Sequence, residues 1–149
     1  MSFISLTQYQ DEDKSALTAA PEGEYNLRIK DMDTDNAGDM ILFYQGPGGE
    51  DDKRPYIRPV IEIIDDINAA NYQDIRYFLG LPTEDMDAKT RKKCLNKLDE
   101  FGMAFSINMF GQDLTKEDFV DKVGTGILNV SESEKYGEQN NIVQLLHSR

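Results

Sequence analysis

Arg54-Pro-Tyr-Ile-Arg-Pro-Val-Ile-Glu-Ile-Ile64 is the stretch on which the fold turns. Its odd positions carry Pro55, Ile57, Pro59, Ile61 and Ile63; its even positions carry Arg54, Tyr56, Arg58, Val60, Glu62 and Ile64. A period of two with β-branched residues along one row predicts a half-buried strand. Proline cannot donate to a sheet ladder, so the two prolines place the strand near an edge or a bulge. The opposite row opens on Arg54, Tyr56 and Arg58. That is a cationic and aromatic face in a chain whose formal net charge is -12.

Upstream, residues 24–32 read as a first core strand. Tyr25, Leu27 and Ile29 point one way, and Asn26, Arg28 and Lys30 the other. The polar run 31–39 is a turn. Residues 40–45 are apolar in both rows, as expected of a second strand covered on both faces. Gly46-Pro-Gly-Gly-Glu-Asp-Asp52 is a hairpin connection that delivers the chain into Lys53 and Arg54. It lacks the Gly-Lys-Ser/Thr ending and the following helix of a phosphate loop. Residues 1–20 read as an arm dispensable to the core, either loose or carrying a short helix over 11–19.

Downstream, residues 71–79 read as helical on the spacing of Ile75, Phe78 and Leu79, stopped by Gly80 and Pro82. A longer helix is predicted from about 86 to 101. It is capped at Thr83-Glu-Asp85 and carries Cys94, Leu95, Leu98 and Phe101 on its apolar side. Lys89, Arg91, Lys92, Lys93 and Lys97 make its middle the densest basic run in the chain, either a solvated face or a contribution to polyanion binding. Residues 102–110 are a strand or a helix continuation, and 114–123 a short amphipathic helix capped at Thr115. Asp118 stands where a full capping box has Glu or Gln. A glycine-led strand over 124–131, a turn over 132–137 and a return strand over 139–146 close the chain. The order predicts a mainly β fold with helical insertions, a five-stranded OB-like antiparallel barrel. The arm occupies 1–20, and the domain 21–149, with a helical insertion at about 71–101.

The chain has 149 residues, enough for one domain with a real core. Its acidity argues against coating nucleic acid through overall charge, yet leaves local phosphate contacts open. Cys94 and His147 are the sole cysteine and histidine. An intrachain disulfide, a thiol metal cluster and a histidine-based catalytic set are therefore ruled out. Cys94 fits packing in the helix's apolar row. Asp31, Asp33, Asp35 and Asp39 lack the spacing and final glutamate of a calcium loop. Asp65-Asp66 is one acidic pair, where a metal-dependent nuclease needs several converging carboxylates. No catalytic residue, metal or cofactor is expected. The opening segment lacks the features of a signal peptide, and no apolar stretch approaches membrane-spanning length. A soluble intracellular protein is the expectation.

The positive constellation is Arg28 and Lys30 on the first strand with Arg54, Tyr56 and Arg58 on the third. If those strands adjoin, their outward faces form one basic patch carrying a ring. Tyr44 adds a second ring, with the parity of its strand open. Single-stranded nucleic acid needs this pairing, cations for phosphates and rings for exposed bases, and stacking contributes about 1–3 kcal/mol per base. The competing reading packs Tyr56 under the 46–53 loop and pairs the arginines with neighbouring acids.

Pro21-Glu-Gly-Glu-Tyr25, the hairpin after it, the helical insertion ending near Phe101-Gly102, and Gly124-Thr-Gly-Ile-Leu-Asn-Val130 with Tyr136-Gly-Glu-Gln-Asn-Asn-Ile-Val143 carry a resemblance. Over residues 21–146 the chain resembles bacteriophage single-stranded DNA-binding proteins of OB fold. The resemblance implies a protein that coats and protects exposed DNA in phage replication or recombination, in the cytoplasm of the infected host. It implies single-stranded DNA and replication or recombination proteins as partners. It puts the binding face on Arg28, Lys30, Tyr44, Arg54, Tyr56 and Arg58. Many such proteins recruit partners through an acidic tail. This sequence ends Val-Gln-Leu-Leu-His-Ser-Arg149 directly after the last strand, so recruitment by that route is not expected. Two other classes stay open, a viral protein-interaction or structural module and a metal-dependent nuclease. So does a homodimer through an exposed sheet edge.

Overall fold

The stretch that anchors the sequence reading is divided at Arg58. In the computed structural model, which describes residues 2–135 and 137–147, it forms two strands, β3 (Lys53–Ile57) and β4 (Pro59–Ile63). Each half joins a different sheet. β4 pairs antiparallel with β1 (Gly23–Met32), placing Ile61 opposite Ile29 and Ile63 opposite Leu27. β3 pairs antiparallel with β2 (Leu42–Gln45). The break falls where proline withholds a ladder donor.

β5 (Ile75–Arg76), β4, β1, β7 (Val123–Ser133) and β8 (Gly137–Leu146) form, in that order, a five-stranded antiparallel sheet curled into a nearly closed barrel. β2, β3 and β6 (Leu79–Gly80) form a second, three-stranded sheet. The fold is mainly β and OB-like, with one long helix, α1 (Ala88–Phe105).

The core follows the alternation. Leu27, Ile29, Ile61 and Ile63 are buried from the strands, and α1 contributes Leu98, Phe101, Ala104 and Phe105. Phe101 lies among Tyr77, Phe105 and Phe119, with ring centroids 5.9, 4.9 and 6.4 Å away. The helix comes close enough to β7 that a Cβ on Gly124 would stand 2.6 Å from the Ala104 carbonyl oxygen. Only glycine fits there.

Several expectations are corrected. Residues 71–79 are not a helix. A 3₁₀ turn (Ala69–Asn71) leads into β5 and β6, and the Tyr77 N–H donates to the Pro59 carbonyl at 3.0 Å. Ile75, Phe78 and Leu79 fit a helical spacing, but Ile75 and Leu79 also fit an alternating buried row. Pairing with β4 and β3 selects the second pattern. The 71–101 insertion is therefore strand followed by helix.

α1 starts two residues later than expected. Its cap is Asp87, whose carboxylate accepts the Thr90 N–H at 2.7 Å. That bond holds the Asp87 carboxyl below its ordinary range. The helix runs to Phe105 and stops at Ser106, whose φ of 57° is left-handed. Residues 114–123 hold only a 3₁₀ turn (Lys116–Asp118), where Asp118 accepts the Thr115 N–H at 2.7 Å.

β2 is not covered on both faces, since Phe43 and Tyr44 are exposed. The arm has a 3₁₀ turn (Thr7–Tyr9) and no helix over 11–19, and residues 2–18 are exposed. Its last residue does belong to the core. Ala20 is fully buried, and the Asn140 amide accepts its N–H at 2.8 Å and donates to its carbonyl at 2.9 Å. Tyr136, part of the closing motif, lies outside the described residues. Among the described residues no helix is long and apolar enough to cross a membrane.

Candidate nucleic-acid interface

The register of the small sheet assembles a ring platform. Leu42 lies opposite Tyr56, Tyr44 opposite Arg54, and Tyr56 opposite Gly80. Directly opposed residues share a face. Tyr44, Arg54 and Tyr56 thus stand together on the outer face, while Ile57 and Leu79 pair on the inner one and are buried. Phe78, two residues before Gly80, falls on the outer row. The ring centroids are 5.8 Å apart for Tyr44–Tyr56, 5.7 Å for Tyr44–Phe78 and 4.9 Å for Tyr56–Phe78. Tyr44 is 41% and Phe78 43% exposed, so the platform keeps ring surface open to a ligand.

Lys97 of α1 borders the platform. Its Nζ donates to the Phe78 carbonyl at 2.9 Å and sits 5.0 Å from the Tyr77 ring centroid and 5.9 Å from that of Phe78. Burial of the ammonium between these groups pushes its pKa down. Cys94, three residues earlier, donates to the Gly80 carbonyl at 3.1 Å, and burial pushes its thiol up. A raised thiol is a poor nucleophile, which fits the packing role.

Arg54 stands at the other end. Its Nε and Nη2 reach the two Asp52 carboxylate oxygens at 3.4 and 3.3 Å. The Asp52 carboxylate, with a smaller contribution from Tyr44, holds Arg54 above its usual range. Asp52 is held below its own, first by the Gly48 N–H at 2.9 Å and then by Arg54. The 46–52 loop thus closes on the guanidinium. Lys53 is exposed and lies opposite Gln45.

The expected single patch across the first and third strands does not form. The chain changes sheets at Arg58, so β1 neighbours β4 rather than β3. Arg28 lies opposite Glu62 and pairs with it at 2.6 Å, and Lys30 pairs with Asp74 at 3.1 Å. Arg58 donates from Nε to Asp33 at 2.7 Å. On the helix, Arg91 donates to the carbonyls of Thr83, Glu84 and Met86 at 3.2, 2.8 and 3.1 Å, tethering the preceding loop. Lys89, Lys92 and Lys93 are exposed, and Lys93 shares a helix side with Lys97, one turn away.

The structure therefore brings together Tyr44, Arg54, Tyr56 and Lys97. It leaves Arg28, Lys30 and Arg91 in other contacts. Two residues of the outer face were missed in the sequence, Phe78 and Arg76. Their signal was the alternation of Arg76 and Phe78 with Ile75 and Leu79, hidden by the helical reading. Arg76 and Phe78 also line a 240 Å³ groove with Lys97 and Asn141. A 430 Å³ groove sharing Arg76 and Asn141 extends it past Gln73 and Gln139, between β5 and β8. These are the outermost strands of the barrel sheet, so the groove follows its open seam.

Among the described residues no three histidine, cysteine or acidic side chains are grouped to hold a metal ion. No protein-family model matches the chain, and no curated protein matches it.

Proposed function

We propose that this protein binds single-stranded DNA without catalysis, on the outer face of the β2–β3–β6 sheet. The observation that carries this reading is the cluster of Tyr44, Tyr56 and Phe78, open to solvent and flanked by Arg54 and Lys97. Rings take bases in any sequence, and cations beside them take phosphates. A duplex hides its bases in the stack, so the platform favours single strands. The OB-like barrel supports the reading as a scaffold that often carries this activity. Protection of exposed strands in phage replication or recombination, in the infected cell, is the role that the sequence resemblance attaches to it.

The test is a titration of labelled single-stranded DNA, single-stranded RNA and duplex at low and high salt. Tight binding of the single strand, weakening linearly in log–log form as salt rises, is the expected result. Equal binding of duplex, or no binding at low salt, overturns it.

A second reading, a protein-contact module, is favoured by the arm. Phe3 and Ile4 are each 86% exposed and Leu6 64%. Sedimentation of the free chain and of an arm deletion separates self-association from DNA binding.

A further inference from the structure

Arg58 and Arg76 converge on one oxygen. Both donate from Nε to Asp33 Oδ2, at 2.7 and 3.1 Å. A guanidinium carries five N–H donors, and its strong mode with a carboxylate is a bidentate fork. Neither arginine uses that mode here, and among the described residues neither makes another hydrogen bond. The terminal nitrogens of both are unspent, and the side chains are 40% and 54% exposed. Two positive charges facing one carboxylate leave an excess of one. The neighbouring acid, Asp74, is engaged by Lys30 at 3.1 Å.

Their position adds direction. Arg58 follows Tyr56 by two residues on the outer row, and Arg76 precedes Phe78 by two. Tyr56 pairs with Gly80 and Val60 with Arg76, so both arginines lie one row beyond the rings. Arg54 and Arg58 are four residues apart on either side of Tyr56, about 13 Å of extended chain. Arg76 also opens into the seam groove beside Asn140 and Asn141.

We infer that Arg58 and Arg76 form a phosphodiester clamp at the far end of the ring platform, with Asp33 standing in its mouth as an internal competitor. The inference rests on the single-strand reading and extends it by giving the strand a course, from Arg54 across the rings to the clamp and on toward the seam. A phosphodiester presents two unesterified oxygens and so can accept from both free forks. The Asp33 carboxylate takes only the two Nε donors. Binding exchanges the carboxylate for a phosphate, and removing the carboxylate charge favours that exchange.

The test uses the full chain and a labelled oligothymidylate of about 12 nucleotides, within the usual site size of one barrel. Arg76→Ala should weaken binding several-fold and flatten the slope of log affinity against log salt by about 0.7, the loss of one phosphate contact. Asp33→Asn should strengthen binding several-fold. Thermal melts accompany each variant, and Arg76→Gln, which keeps part of the stem, replaces Arg76→Ala if that variant unfolds. An unchanged affinity and slope in a folded Arg76 variant, while Tyr56→Ala loses binding, overturns the clamp and leaves the platform standing. Weakened binding in Asp33→Asn overturns the competitor, because Asp33 would then be positioning the arginines. No binding by the unaltered protein overturns both the clamp and the reading beneath it.

Discussion

The outer faces of the two sheets carry similar cations to different ends. On the barrel sheet, Arg28 is matched across the strands by Glu62, and Lys30 reaches Asp74. Exposed pairs of this kind contribute about 0–1 kcal/mol each, and their charge is largely cancelled locally. On the small sheet, Arg54 and Lys97 flank a row of rings that no other side chain covers. A positive residue on a strand therefore says little by itself in an acidic protein. The register decides, by setting whether a carboxylate or a ring stands next to it.

The largest effect separates folding from binding. Phe101→Ala removes a fully buried ring at the junction of helix and barrel. It should lower unfolding free energy by about 3–5 kcal/mol in denaturant titrations. Tyr56→Ala should leave that value nearly unchanged and weaken oligonucleotide binding by about 5- to 150-fold, the worth of one stacked base. A Tyr56→Ala chain that binds normally would dissolve the distinction between the faces.

Arg54→Ala and Arg28→Ala give the sharper contrast. The first should weaken binding and flatten its salt dependence by about 0.7. The second should leave both intact, which a pair of salt titrations resolves.

The smallest effect is in alkali. Burial lowers the Lys97 pKa, so its charge is lost as pH rises through that lowered value, ahead of exposed lysines. Between it and the ordinary lysine value the unfolded chain binds more protons, so this group's contribution to stability rises with pH while its contribution to binding falls. Titrations between about pH 7 and 10 should show the early loss of affinity, and Lys97→Arg should remove it.

Much of the scaffold was legible. β1, the long β7–β8 hairpin and the apolar side of α1 follow local periodicity, and local periodicity is what sequence displays. The division at Arg58 was only half visible. Pro59 marks an interruption, but the new neighbour of each half is chosen by pairing with residues far away in the chain. Residues 75–79 satisfied two periods at once, and only the tertiary partners separate them. Tyr44 stayed open because its strand is apolar in both rows, and burial could not be assigned from the pattern. The platform was therefore readable as residue types, while the grouping with Phe78 and Lys97 needed the fold.

Asn140 has a consequence for how the chain can be handled. Its carboxamide offers Ala20 one donor and one acceptor, the same pair a peptide unit of a neighbouring strand would supply. A single side chain thus marks the frontier between the part of the molecule that folding requires and the stretch before it. Fusion, labelling or shortening on the far side of that frontier leaves the barrel's own bonds untouched, and the first deletion to cross it removes a core residue.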